Sequence, residues 1–498
     1  MKILSSLVFA SLLLGGCAVS PKPLSMDELV DKREARLEKF SAGQEELTGP
    51  VSLYEAMARA IKYNLDHKVE MYEEALRSSE SDLATLDMLP KLVVSAGISD
   101  RSNYSGSRSS SLLTENSVGG VSLQPSTSSE KMVVTSDLKL SWDVLDFGLS
   151  YVRAKQKSDA ILVANERRRK VANRIIENVR TAYWRAVSAE RLIEKLSNLE
   201  GDLEKALTAA DDAYRQKKTP PLAALTYQRE LLNIKNETQT MHNEMVVAKR
   251  QLAALMNVNP ATPFTLDTSS EAEAPQMDFE PSEMVKLALL HRPELKELSY
   301  EQRINEAEAT SALLQLLPNL NLFGGFNYNS NDYLYSNEWT GWGAAASWNI
   351  FKLFRYPAQK RANKQGKSLL EQRALALTMA VITQVHVSAS KYEIAKRRLA
   401  TMGKYQEVTS NILAQIESGY NARKVSYQNF VREKMNSIVA EARYDIARAE
   451  MQNSFANIYS SIGVDTYGNI DAEESTVTDL AQHLQEHWAG LEDVLETE

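Results

Sequence analysis

Apolar and polar positions along this chain of 498 residues follow two rhythms. The first is helical. Leu53, Ala56, Met57, Ala60 and Ile61 share one face and predict a helix from Ser52 to Met88, stopped by Pro90. Helical sequence resumes near Leu149 and runs without Pro or Gly to Leu199, with only Gly201 before Lys217. Pro220 and Pro221 mark a turn, and a further helix reaches about Leu255. The long segment of about 65 to 70 residues would extend about 100 Å, and the shorter flanking helices about 55 Å each. Two short helices stacked end to end therefore match one long one, as in a wall of long and split helices. An ordinary coiled-coil rod would explain the helices but not what lies between them.

The second rhythm has period two. Leu92, Val94, Ala96 and Ile98 face one way, and Lys91, Ser95, Gly97 and Ser99 the other. Leu138, Leu140, Trp142 and Val144 alternate with Asp137, Lys139, Ser141 and Asp143. Leu320, Leu322, Phe326 and Tyr328 oppose Asn319, Asn321, Asn327 and Asn329. Trp342, Ala344, Ala346, Trp348 and Ile350 oppose Gly343, Ser347 and Asn349. Strands of about ten residues, apolar on one side and small or polar on the other, fit a membrane barrel with a wet lumen. They also fit a soluble sheet with one face on a core. Trp142, Trp339, Trp342 and Trp348 are candidates for an interfacial aromatic girdle.

The two rhythms occur twice, in the same order. Tyr72-Glu73 recurs as Tyr300-Glu301, and Leu89-Pro90-Lys91-Leu92 as Leu317-Pro318-Asn319-Leu320. Trp142-Asp143-Val144 recurs as Trp348-Asn349-Ile350. The copies end at Leu255-Met256-Asn257-Val258 and Ser461-Ile462-Gly463-Val464. The fold class expected is mainly α with a small β part, built from tandem helix, strand, strand, long helix, helix units. The first repeat covers 51–260, with strands at about 91–101 and 133–145. A linker covers 261–281. The second repeat covers 282–464, with strands at about 319–329 and 338–350. Four strands cannot close a barrel, and an open edge cannot lie in lipid. If the strands span a membrane, several chains share one barrel, and three would make it twelve-stranded. The loop Asn103 to Lys131 is Ser- and Gly-rich, fitting an extracellular loop or a plain insertion.

Composition narrows the rest. A net charge of −8 argues against a nucleic-acid binder with a broad basic face. The single cysteine, Cys17, leaves no disulfide framework. It follows Lys2 and the apolar run Ile3 to Leu14, so residues 1–16 read as a secretory signal peptide. Leu14-Gly15-Gly16-Cys17 resembles a lipobox, which implies an acylated Cys17 and a lipidated tether over 17–50. A plain signal peptide with an incidental Cys is the alternative. No later run of about 18 apolar residues could form a transmembrane helix. The acidic tail 465–498 places Leu480, Leu484, Trp488, Leu491 and Leu495 on one helical stripe, expected to pack against the helical body. His483 and His487 stand four apart but have no third partner for a metal, and no Gly-rich phosphate loop or nucleophile constellation is present. We expect no enzyme, no cofactor and no metal.

Taken together, residues 50–464 resemble the TolC-type outer-membrane factors of tripartite efflux pumps and type I secretion systems. The duplicated order and the Leu-Pro-x-Leu approach to the first strand of each half carry the resemblance, with a helical hairpin near Ser418-Gly419-Tyr420. It implies a homotrimer whose twelve-stranded β-barrel lies in outer-membrane lipid and continues as a periplasmic α-helical barrel. It also implies a periplasmic adaptor and an inner-membrane pump of RND or ABC type as partners. On that map the aperture and adaptor contacts are Arg215, Lys217, Lys218, Thr219, Gly419, Tyr420, Arg423 and Lys424. The chain departs from the pattern at the tips. Lys217 stands where a Gly is expected, Ala223 and Ala224 where an acidic residue is common, and Ile416 where some members place a Tyr. The tips are basic instead. They read either as solvated turns whose cations suit helix C-termini, or as a ring for an acidic adaptor or anionic cargo. A helical spacer or adaptor lipoprotein without a pore is the alternative to a channel.

Overall fold

The structure, a computed structural model, describes residues 21–41, 43–107, 125–217, 220–268, 280–464, 467–468 and 474–497. Helix α1 (Met26–Ser41) is exposed along its described length. The first repeat comprises α2 (Leu53–Tyr63), α3 (Leu65–Leu86), β1 (Lys91–Asp100), the short pair β2 (Gly106–Ser107) and β3 (Ser126–Thr127), β4 (Met132–Asp143), α4 (Val144–Arg215) and α5 (Pro221–Leu255). The second comprises α6 (Pro281–His291), α7 (Pro293–Leu314), β5 (Asn319–Asn329), β6 (Glu338–Ser347), α8 (Lys352–Asn421) and α9 (Tyr427–Ile462). Helix α10 (Val477–Thr497) closes the chain.

The duplication extends to backbone conformation. Helices α2 and α6 both have 11 residues, and α3 and α7 both have 22. The single helix expected from Ser52 to Met88 is therefore two. It breaks at Asn64 (φ −62°, ψ 128°), whose side-chain oxygen accepts from the amides of Asp66 and His67 and so caps α3. The counterpart break is Arg292 (φ −60°, ψ 122°), ahead of Pro293 at the first position of α7. The long helix also starts earlier than expected, at Val144 directly after β4, and Trp348 and Ile350 lie beyond the end of β6.

The four long strands form one antiparallel sheet in the order β1-β4-β5-β6. Each repeat contributes one strand pair, and β4 joins β5 across the repeat boundary. Below the sheet, α4 lies between α3 and α7, and farther along it packs on α5 and α9.

Two apolar clusters hold the helices. The larger gathers Met57 and Ile61 of α2, Ile176 and Tyr183 of α4, Tyr459 of α9 and Leu480 of α10. Val51 bridges to Leu266 in parallel, and the Tyr183 hydroxyl sits 3.2 Å from the carbonyls of Val51 and Asp267, tying the repeat junction to the core. Burial raises the Tyr183 pKa, so the phenol stays a donor. The second cluster packs Leu192, Leu196, Leu199 and Leu203 of α4 against Leu231 of α5 and Met435 of α9.

The acidic tail docks on this body through α10. Leu480, Leu484 and Trp488 are buried, while the side chains of Leu491 and Leu495 lie outside the described residues. The Trp488 ring meets Tyr459 edge to face at 5.7 Å and covers the Arg180 guanidinium at 4.1 Å. Glu45 holds the start of α10, accepting from the Val477 amide, Lys62 and Tyr63.

Candidate functional site

Three regions carry the functional expectations: the sheet, the helical tips and the chain's N-terminus. In the sheet, unbroken register assigns every side chain to a face. Leu92, Leu140, Gly324 and Trp342 form one cross-strand row; Val94, Leu138, Phe326 and Thr340 form another on the same face. Trp142 with Leu322 and Ala344 extends that face toward the helices. The opposite face carries Lys139 beside Gly325 and Gly341, then Ser95, Asp137 and Asn327 in one row. There Asn321 donates to Asp143 at 3.2 Å, and the Lys139 ammonium lies 4.9 Å from the Phe323 ring. One face is thus apolar and uncovered, with Trp342 90% exposed, while the other is polar.

The tryptophans do not form one band. Trp142 and Trp342 share the apolar face, and Trp348, six residues past Trp342, lies just beyond the strand toward the helices. Its indole N–H donates to the Leu316 carbonyl at 2.9 Å. Trp339 pairs with Asn327 near the far end of the sheet, three residues from Trp342, so it projects from the polar face. The expected girdle of four is therefore divided. Trp142, Trp342 and Trp348 keep that role as a proposal, and Trp339 belongs with the other surface.

The outer strands β1 and β6 each pair on one side only. Their outward N–H and C=O groups are obligatory hydrogen-bonding groups with no strand partner among the described residues. Among the described residues, no helix is long and apolar enough to cross a membrane.

At the tips, α4 turns into α5 and α8 into α9. The α8 end is a Schellman turn: Lys424 N–H donates to the Gly419 carbonyl (2.8 Å) and Arg423 N–H to that of Tyr420 (2.8 Å). Such a turn needs one left-handed residue, and Arg423 supplies it at φ 56°. Lys217 does the same at the first tip, φ 53°. Gly419 is therefore not the turn residue of its hairpin. It lies in the last turn of α8, where Val425 packs so close that a Cβ would meet its methyl at 2.6 Å.

The tip cations are exposed, but not all are free. Arg215 pairs with Asp211 at 2.8 Å, while Lys217, Arg423 and Lys424 point into solvent. Lys218 and Thr219 lie outside the described residues, as does Cys17 with the signal segment. Tyr420 stacks on Phe430 (5.0 Å, 6°), with Tyr427 at 5.9 Å. This aromatic group at the second tip was legible only as far as Tyr420; the spacing Tyr427 to Phe430, one helical turn, was the missed signal.

No protein-family model matches the sequence, and no curated protein matches it. Solved structures do. The CmeC outer membrane channel of Campylobacter jejuni aligns at 14% identity and a TM-score of 0.62, over 94% of this chain and 98% of that one. The open state of the Neisseria gonorrhoeae MtrE outer membrane channel aligns at 14% and 0.61, over 88% and 96%. The outer-membrane channel OprN aligns at 16% and 0.62, over 82% and 89%. Identities this low establish the fold, and these neighbours are channels rather than enzymes.

Proposed function

We propose that this chain, which has the fold of the TolC-type outer-membrane factors, is one subunit of a homotrimeric outer-membrane export channel. The observation that carries the reading is the sheet: four strands with one apolar uncovered face, one polar face and two unpaired edges. A soluble sheet would cover its apolar face with helices; here the four helices that adjoin the strands, α3, α4, α7 and α8, all lead from one end of the sheet, and no described helix covers that face. In lipid the apolar face is at home, but the edges must be paired. Three copies do this with no change of sense. The strands run alternately up and down, so β6 of one copy meets β1 of the next antiparallel. The result is a twelve-stranded barrel with Lys139, Asp137 and the asparagines inside.

The long helices then extend the duct into the periplasm, and the tips serve a periplasmic adaptor and an inner-membrane pump of RND or ABC type, in efflux or type I secretion. Energy comes from that pump. Cys17 is the proposed acylation site anchoring the tether to outer-membrane lipid. A spacer lipoprotein without a pore has no use for a bare apolar sheet face.

The test is planar-bilayer conductance of the purified full chain, with gel mobility before and after heating. We expect open channels and trimers that heat dissociates. A monomer giving no conductance would overturn the reading.

A further inference from the structure

We infer that between copies Ser347 of β6 faces Ser95 of β1 and Arg373 of α8 bonds Glu73 of α3, with the contact between the two repeats inside one chain as the template. The inference rests on the closed-barrel reading and deepens it.

The repeat supplies the mapping. Counting from Trp142 to Trp348, the limb β4-α4 corresponds to β6-α8 at an offset of 206 residues. Counting from Tyr72 to Tyr300, the limb α3-β1 corresponds to α7-β5 at an offset of 228. Within the chain, the end of repeat one (β4, α4) packs on the start of repeat two (β5, α7). The end of repeat two (β6, α8) and the start of repeat one (β1, α3) are the corresponding surfaces, and among the described residues they do not meet a partner.

Both surfaces look prepared for this. Along α3, Leu65, Val69, Tyr72, Leu76, Leu83 and Leu86 are 51 to 69% exposed, spaced by fours and threes with Ser79 completing the stripe. That is a coiled-coil seam. In α7 the positions matching Leu65 and Leu83 are Pro293 and Ser311, both buried. On α8, Phe354, Leu369, Leu375 and Met379 are more than half exposed. The charges are opposite. Helix α3 carries six acidic residues against Lys68 and Arg77. The first part of α8, Lys352 to Arg373, carries seven basic residues against Glu371. The occupant that fits each face is thus a second copy presenting the other.

The template fixes details. Ser141 pairs with Phe323 in the chain, so Ser347 should pair with Ser95 of a second copy. The residue types keep their faces: both serines are on the polar side. Arg167 of α4 bonds Glu297 (2.6 Å) and Glu301 (3.4 Å) of α7. Their counterparts are Arg373, Val69 and Glu73. Arg373 has no carboxylate partner among the described residues, so it should reach Glu73 of a second copy. Glu73 already holds Arg77 at 2.5 Å, and a carboxylate can accept from both.

Cysteine pairs test the register in the full chain. Facing residues on antiparallel strands have Cα atoms about 4.5–5.5 Å apart, within disulfide reach. In one chain β1 and β6 are three strands apart, about 14 Å, too far. Oxidised Ser95→Cys/Ser347→Cys should therefore run as dimer and trimer bands that reductant collapses, with each single variant as the control for Cys17. Pairing Ser95→Cys with Ala345→Cys or Asn349→Cys, two residues off register, should cross-link far less. Stronger cross-linking by a shifted pair would overturn the register. Intact trimers with no cross-link by any pair would overturn the template while leaving the channel reading standing; monomers throughout would sink the channel reading itself. For the ion pair, Arg373→Glu and Glu73→Arg should each lower the temperature at which the trimer dissociates, and the double swap should restore most of the loss. No restoration would remove the pair.

Discussion

The helical body and the sheet solve the problem of apolar surface in opposite ways. Around Tyr183 and Leu196 the chain buries its own apolar faces, and side chains there are 0% exposed. In β1, β4, β5 and β6 no side chain is buried at all. The same alternation that would make a soluble sheet fold onto helices here leaves a hydrophobic face bare and two edges unpaired. The core of the helical body is complete within one chain, whereas the sheet and the exposed stripes of α3 and α8 are not covered by any described residue.

That contrast can be broken with a pair of truncations. Leu196→Ala removes a fully buried side chain from the junction of α4, α5 and α9, and should cost about 2–5 kcal/mol through lost transfer energy and the cavity left behind. Leu140→Ala, on the apolar face of the sheet and nearly half exposed, should leave urea unfolding of the helical body almost unchanged. Equal losses in far-UV circular dichroism would mean that the sheet packs on something within its own chain.

A smaller effect sharpens where the body ends. Arg180 is buried without a carboxylate partner among the described residues, and burial pushes its pKa down to about 10. What faces it is the Trp488 ring, with the Tyr54 and Tyr459 phenols nearby. A desolvated cation over indole is worth about 2 kcal/mol. Trp488→Ala should therefore release α10 by about that amount, seen as faster amide exchange in α10 while α4 stays protected. Unchanged exchange would show that Leu480 and Leu484 hold the helix without the tryptophan.

Much of this was legible in the amino-acid sequence. Period-two alternation located all four long strands to within a few residues, because a strand sends successive side chains to opposite faces and here one face is apolar. The acidic tail's stripe likewise announced its docking. The break at Asn64 was missed because the apolar stripe of α2 runs on toward α3 without a Gly or Pro. Its signal sat in the other half, where Pro293 stands at the position matching Leu65. Trp339 was grouped with Trp342 by residue type, although an odd separation along a strand places them on opposite faces. The tips were the hardest. A glycine was sought for the left-handed turn, and Gly419 was the visible candidate. The turn instead uses Lys217 and Arg423, 206 residues apart, as Asn257 and Gly463 do at the ends of α5 and α9. Lys217 was already visible as the residue standing where a Gly is expected, and the repeat offset of 206 carries that position to Arg423.

The smallest prediction tests that last point, within the helical body and far from the sheet. A non-glycine residue in the left-handed region costs about 1–2 kcal/mol relative to a right-handed one. Glycine avoids that, but orders at an entropic cost of about 0.5–1 kcal/mol relative to alanine. Lys217→Gly should then stabilise the first tip by at most about 1.5 kcal/mol. The core clusters near Tyr183 and Leu196 dominate global unfolding, so melting should barely move. The gain should appear instead as slower amide exchange over the last turn of α4, around Ala213 to Gln216. Arg423→Gly should do the same for the last turn of α8. Its effect should be similar, because Gly419 already accommodates Val425 and the two turns share their backbone conformation. Faster exchange in either variant would mean that the side chain, not the backbone angle, sets the turn: the stems of Lys217 and Arg423 would then be holding the tips closed by packing.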